Sequence, residues 1–91
     1  MKILRSSVCG SLESNDIMIQ ITPIKNGIEV ELASIVMVQF GDVIKSVIHQ
    51  TLRDLDVEGV SVYAVDRGAL DCTIRARVET AVARAMEEVM L

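Results

Sequence analysis

Aromatic residues are nearly absent from this chain: Phe40 and Tyr63 are the only two, and there is no tryptophan. Stacking platforms for a base or a sugar ring are therefore missing. Basic residues are also few, nine against thirteen acidic ones, for a net charge of −4. A nucleic-acid binder normally shows a basic patch, and an anionic membrane surface repels this balance, so neither is expected as a partner. No apolar run approaches the roughly 20 residues of a membrane span. The opening segment Met1-Lys2-Ile3-Leu4-Arg5-Ser6-Ser7 has no apolar stretch long enough for a signal peptide, and the chain is expected to be cytoplasmic. One histidine, His49, and two widely separated cysteines, Cys9 and Cys72, give no metal-ligand spacing. The five glycines, at 10, 27, 41, 59 and 68, stand singly and form no phosphate loop. No metal site and no catalytic residue is expected. In a reducing compartment both cysteines read as free, buried thiols.

What the chain does have is aliphatic mass. Hydrophobic residues make up 51% of its 91 positions, which excludes disorder and fits a single domain over 1–91. A domain of this size buries roughly two-thirds of its unfolded surface, enough for one modest core but no deep active-site cavity.

The pattern along the chain reads β-β-β-α-β-α. Residues 6–13 form a weak first strand, broken by Gly10 and several serines. Ile17, Ile19 and Ile21 alternate with Met18, Gln20 and Thr22, a period-2 strand. Asn15-Asp16 supplies turn chemistry before that strand, and Pro23 marks its end or an edge. Asn26-Gly27 signals a tight hairpin into Ile28-Glu29-Val30-Glu31-Leu32. Ser34 is placed to cap a helix over residues 35–54, whose apolar positions include Val36, Phe40, Val43, Ile44, Val47, Ile48, Leu52 and Leu55. Gly41 inside it implies close packing against a neighbour. A fourth strand spans 60–65 and Asp66-Arg67-Gly68 turns out of it. A second helix, capped by Asp71 or a neighbour, carries the stripe Ile74, Val78, Ala81, Val82, Ala85 and Val89 opposite Arg75, Arg77, Glu79, Arg84, Glu87 and Glu88. Asp71 and Arg75 are spaced as an i,i+4 pair. The expected architecture is α+β: a mostly antiparallel sheet of about four strands with two helices packed on one face.

Few residues are arranged for chemistry. Glu29 and Glu31 share a strand face and read as solvated surface. His49 lies at the edge of an apolar stripe with no partner suggested by spacing. Asp66, Asp71, Arg75 and Arg77 cluster near the second helix start, where they could cradle a phosphate, bind a partner, or serve capping and surface pairing. Ser14, between Glu13 and Asn15, sits at the apex of the first hairpin. A serine nucleophile needs an activating base, and no histidine or lysine is near in sequence. An exposed hydroxyl can still be a passive acceptor, modified by another enzyme that supplies the base.

Three stretches carry a resemblance over nearly the whole length: Gly10-Ser11-Leu12-Glu13-Ser14-Asn15-Asp16, then Gln39-Phe40-Gly41-Asp42, and above all Asp66-Arg67-Gly68-Ala69-Leu70-Asp71-Cys72 followed by Ile74-Arg75-Ala76-Arg77. The chain resembles the acyl carrier proteins, or gamma subunits, of bacterial citrate lyase. That resemblance implies that Ser14, in the Leu-Glu-Ser motif, carries 2'-(5''-phosphoribosyl)-3'-dephospho-coenzyme A through a phosphodiester. It implies three partners: a prosthetic-group transferase that installs the arm, an alpha subunit that exchanges acetyl for citryl on the arm's thiol, and a beta subunit that cleaves the citryl thioester to oxaloacetate. The carrier itself would contribute no acid or base.

Two other readings stay open. The acyl carrier of malonate decarboxylase uses a related arm with a different substrate. A cofactor-free interaction module would instead expose apolar residues such as Met18, Met37 and Met90 as a binding surface.

Overall fold

The computed structural model describes residues 2–86, so Val89, Glu87, Glu88 and Met90 lie outside the described residues. Within them the elements follow the expected order: β1 (Ser7–Cys9), β2 (Ile17–Pro23), β3 (Ile28–Ser34), α1 (Met37–Asp54), β4 (Val60–Asp66) and α2 (Asp71–Met86). The strands form one four-stranded sheet and the two helices cover one of its faces.

Alternation decides which face is covered. Ile17, Ile19 and Ile21 of β2 are fully buried, as are Val60 and Ala64 of β4, while Met18, Gln20, Thr22, Ser61, Tyr63 and Val65 point to the other side. Each buried isoleucine removes enough apolar surface from water to contribute about 1.5–3 kcal/mol. The helices close over this layer with Ile44, Ile48 and Leu52 from α1 and Ile74, Val78, Ala81, Val82 and Ala85 from α2. The alanines let the end of α2 approach the chain before β2. There the Ser7 hydroxyl donates to the Ala81 carbonyl at 2.6 Å, and the Leu4 and Arg5 amides both donate to the Ala85 carbonyl.

The sheet is mostly antiparallel, as expected, with one parallel pairing. Its order is β1-β2-β4-β3; β1–β2 and β2–β4 run antiparallel, and β3–β4 runs parallel. The physical cause is α1. An eighteen-residue helix carries the chain back along the sheet, so β4 starts at the same end as β3 and pairs with it in parallel. The Asn26-Gly27 turn therefore does not close a β2–β3 hairpin. Gly27 does adopt φ 81°, but its carbonyl accepts from the amides of Gly59 and Val60, and β4 occupies the space between β2 and β3. Pro23 ends β2, as its missing N–H requires.

Three local expectations are corrected. α1 starts at Met37, after Val36 in the cap position, and no side chain caps it. The Ser34 hydroxyl instead accepts from the Val36 amide at 3.1 Å and shapes the turn before the helix. The first turns of α1 are not core: Phe40 and Val43 are each 51% exposed, because they line an open groove and not the packed layer. Arg75 does not pair with Asp71; it reaches across to Asp54 on α1 at 3.0 Å and lies 4.0 Å from Glu79. Gly41 is buried, and the close neighbour is its own helix: an added Cβ would lie 2.9 Å from the Met37 sulfur.

Candidate functional site

One end of the sheet gathers three connections. The register pairs Asp66 with Ile17 on one side and with Ser34 on the other. The β1–β2 loop, the β3–α1 turn and the β4–α2 loop therefore meet at the same end. Ser14 lies at the tip of the first of these.

The tip is a turn over Glu13–Asp16, closed by a bond from the Asp16 amide to the Glu13 carbonyl at 3.2 Å. Asn15, its third residue, has φ 65°, the left-handed conformation a type II turn places there and one that asparagine tolerates. Gly10 has φ 96° where the chain enters the loop, and a Cβ there would collide with the Ile17 carbonyl oxygen. Ser14 is exposed, and its hydroxyl makes no hydrogen bond to any described residue.

The loop beneath Ser14 is held firmly. The Asn15 amide donates to the Arg67 carbonyl at 2.8 Å, and the Arg67 amide donates to the Asp16 carbonyl at 2.9 Å. Asp16 collects four donors: Arg77 Nε and Nη2 at 3.0 and 3.2 Å, the Ser11 hydroxyl at 2.7 Å, and the Ile17 amide at 2.7 Å. These bonds, the Arg77 guanidinium first, lower the Asp16 pKa to about 2. Asp16 is thus an anchor ionised at neutral pH with both oxygens engaged, which is the role of a scaffold and not of a proton acceptor.

Asp66 anchors the neighbouring loops. Buried to 1% exposure, it accepts from the Ser34 hydroxyl at 2.9 Å and from the Gly68 and Ala69 amides at 3.1 and 3.0 Å. Its oxygens are satisfied within the chain, as burial of a carboxylate demands.

The four charges expected as one cluster are dispersed. Asp66 is interior, Asp71 is exposed at the start of α2, Arg75 serves Asp54, and Arg77 serves Asp16. Glu29 and Glu31 are exposed on the outer face of edge strand β3, and His49 is half-buried on α1. Cys9 is buried as expected, but Cys72 is exposed, because it sits on the outer side of the first turn of α2. Among the described residues no group of three or more His, Cys, Asp and Glu is placed to hold a metal ion. No helix among them is long and apolar enough to cross a membrane. The Asp16–Arg77 anchor escaped the sequence reading. Its only signal was an aspartate directly after the turn asparagine, and its partner lies 61 residues away.

The fold matches a chain of a Pseudomonas malonate decarboxylase hetero-tetramer solved with malonate, with a TM-score of 0.72 over 93% of this chain and 88% of that one, at 17% identity. The family model for acyl carrier proteins described as malonate decarboxylase delta subunit matches residues 5–85. The chain belongs to this acyl carrier protein family. Among curated relatives, the citrate lyase acyl carrier protein of Streptococcus uberis is 55% identical over 93% of this chain and 84% of its own length. Those of Streptococcus mutans and Lactiplantibacillus plantarum are 53% and 51% identical over 96% of this chain, and over 86% and 91% of their own lengths. The likeness to citrate lyase acyl carriers read from the motifs is therefore borne out.

Proposed function

We propose that the chain is the covalent carrier subunit of a citrate lyase complex, with Ser14 as the attachment point of 2'-(5''-phosphoribosyl)-3'-dephospho-coenzyme A. The observation that carries this reading is an exposed, unbonded serine hydroxyl on a turn whose Asn15–Asp16 side is tied to Arg67. When bound, the group supplies a thiol that holds acetyl and citryl groups as thioesters. The chain's own part is mechanical. Ser14 offers its oxygen to the phosphodiester, and the Asn15–Arg67 and Asp16–Arg77 bonds keep that oxygen at the surface. Arg67 makes no ion pair among the described residues and is exposed in the loop bonded to Asn15, so it is the cation available to the phosphodiester charge. Tethering raises the effective concentration of the acyl group at each partner site. The acid and base chemistry is left to a transferase subunit and a lyase subunit, in the cytoplasm, after a separate transferase has installed the group.

Intact-mass analysis of the chain made together with its modifying enzymes tests the reading. The expected result is a mass increase equal to the prosthetic group, absent from Ser14→Ala. An unmodified wild-type mass refutes it and favours a cofactor-free interaction module, and equal modification of Ser14→Ala refutes Ser14 as the attachment point.

The same carrier role in a malonate decarboxylase is the second reading, supported by the description of the family model and by the shared fold. The relatives at 51–55% identity favour citrate. Reconstitution with each set of partner subunits separates the two by whether citrate or malonate is consumed.

A further inference from the structure

A groove of about 440 Å³ lies between the first turns of α1 and the loop after β4. Val36, Phe40, Val43 and Ile44 form one wall, and Ala69 and Leu70 the other. Phe40 and Val43 are each 51% exposed and Leu70 is 70% exposed, so large apolar side chains stand in water around a concavity. Such a grouping on a small protein marks a binding surface more often than chance.

Two observations say what would occupy it. The first is position. Gly68 lines the groove and also touches the hairpin, since a Cβ on it would lie 3.6 Å from Asn15 Oδ1. Ser14 is one peptide from Asn15, about 3.8 Å between Cα atoms. A chain leaving the Ser14 oxygen needs to cross only the width of one loop to enter the groove. The second is charge. Among the described residues, Asp66 and Asp71 are the only charged ones lining it, and no cation does. Phosphate groups are repelled there, whereas an uncharged chain with apolar links and amide donors suits apolar walls edged by a carboxylate.

We propose that this groove is the resting cradle for the uncharged, thiol-bearing end of the group carried on Ser14. The inference rests on the carrier reading of Ser14. A docked arm keeps its sulfur against Phe40 and Leu70 and out of water. It is released when a partner offers a better site, as a population shift between docked and free arms.

The test uses the modified chain in a Cys72→Ser background, which removes the exposed protein thiol. Its mass is checked first, and its amide and methyl NMR spectra are compared with Ser14→Ala prepared in the same way. The expected result is shifted methyl signals at Val43, Ile44 and Leu70 with arm-to-Phe40 ring contacts. Phe40→Ser and Leu70→Ser, each at an exposed site, should speed reaction of the arm thiol with a soluble disulfide reagent roughly three-fold or more by depopulating the docked state. Full modification with shifts confined to residues 11–16 and unchanged thiol rates overturns the cradle alone. Groove shifts that arise only on adding a partner subunit overturn it in favour of protein docking. A mass showing no modification overturns the carrier reading and the cradle together.

Discussion

Removing the charge from Asp16 should loosen the platform under Ser14 and make stability less sensitive to acid. The folded pKa is lowered from 3.8 to about 2, with the Arg77 guanidinium as the largest cause. A depressed carboxylate pKa means that the unfolded chain binds the proton more readily. The stabilisation is thus fully present above about pH 4 and is lost as pH falls from 3.8 toward about 2. Nearly two pKa units at about 1.4 kcal/mol each set a ceiling of about 2.5 kcal/mol. Asp16 is only 15% exposed but Arg77 is 39% exposed, so solvent screening reduces the figure to about 1–2 kcal/mol. Linkage places about half of the loss above pH 3. Urea titrations of wild type, Asp16→Asn, Arg77→Met and the double variant, at pH 7 and pH 3, measure this as a coupling energy. The expected coupling is about 1–2 kcal/mol at pH 7 and about half that at pH 3. The Asn15 amide should also exchange faster in both single variants, because its bond to Arg67 loses support. A pH 7 coupling below about 0.3 kcal/mol, or one that does not change with pH, refutes the anchor.

Gly10→Ala should destabilise the chain by about 2 kcal/mol or more in a urea titration, since the φ of 96° and the collision with the Ile17 carbonyl act together; a loss under about 0.5 kcal/mol would mean that the loop entry relaxes freely. In folded Ser14→Ala one thiol, Cys72, should react quickly with Ellman's reagent and Cys9 only on unfolding. The modified chain should show one further thiol, slower than Cys72 because the arm is docked, and two fast thiols in folded Ser14→Ala would contradict the burial of Cys9.

Strands and helices were legible because their burial follows period. Ile17, Ile19 and Ile21 announce a half-buried strand, and all three are fully buried. Periodicity reports which face is apolar, however, and not what covers it. Phe40 and Val43 share the stripe of Ile44 and Ile48, yet they line an open groove and stay half in water. Sheet order was less legible. Asn26-Gly27 signals a reversal whether or not the flanking strands pair, and only the length of α1 hints that the next strand returns in parallel. Long-range ion pairs were the least legible. Local spacing suggested Asp71 with Arg75, whereas Arg75 meets Asp54 and Arg77 meets Asp16, pairings that exist only once the helices are packed. At the candidate site the motif drew attention to Ser14 as an attachment serine. Nothing local revealed the bonds that hold its loop.

Those bonds follow from where β4 sits. A β2–β3 hairpin with β4 on the outside would give the end of β4 one neighbouring strand. Inserted between them, β4 brings Asp66 opposite Ile17 and Ser34 at once. Asp66 can then hold the Ser34 turn and the Gly68–Ala69 loop, while the next residue, Arg67, bonds the hairpin that bears Ser14. The apolar groove is built from the same two connections, the turn into α1 and the loop into α2. The Ser14 loop and the groove thus share one frame, and a change that loosens Asp66 should disturb both while one at Phe40 disturbs only the groove. The Leu-Glu-Ser motif supplies a hydroxyl; the parallel return through α1 supplies the surface around it. Carriage on Ser14, as proposed, depends on the second as much as on the first.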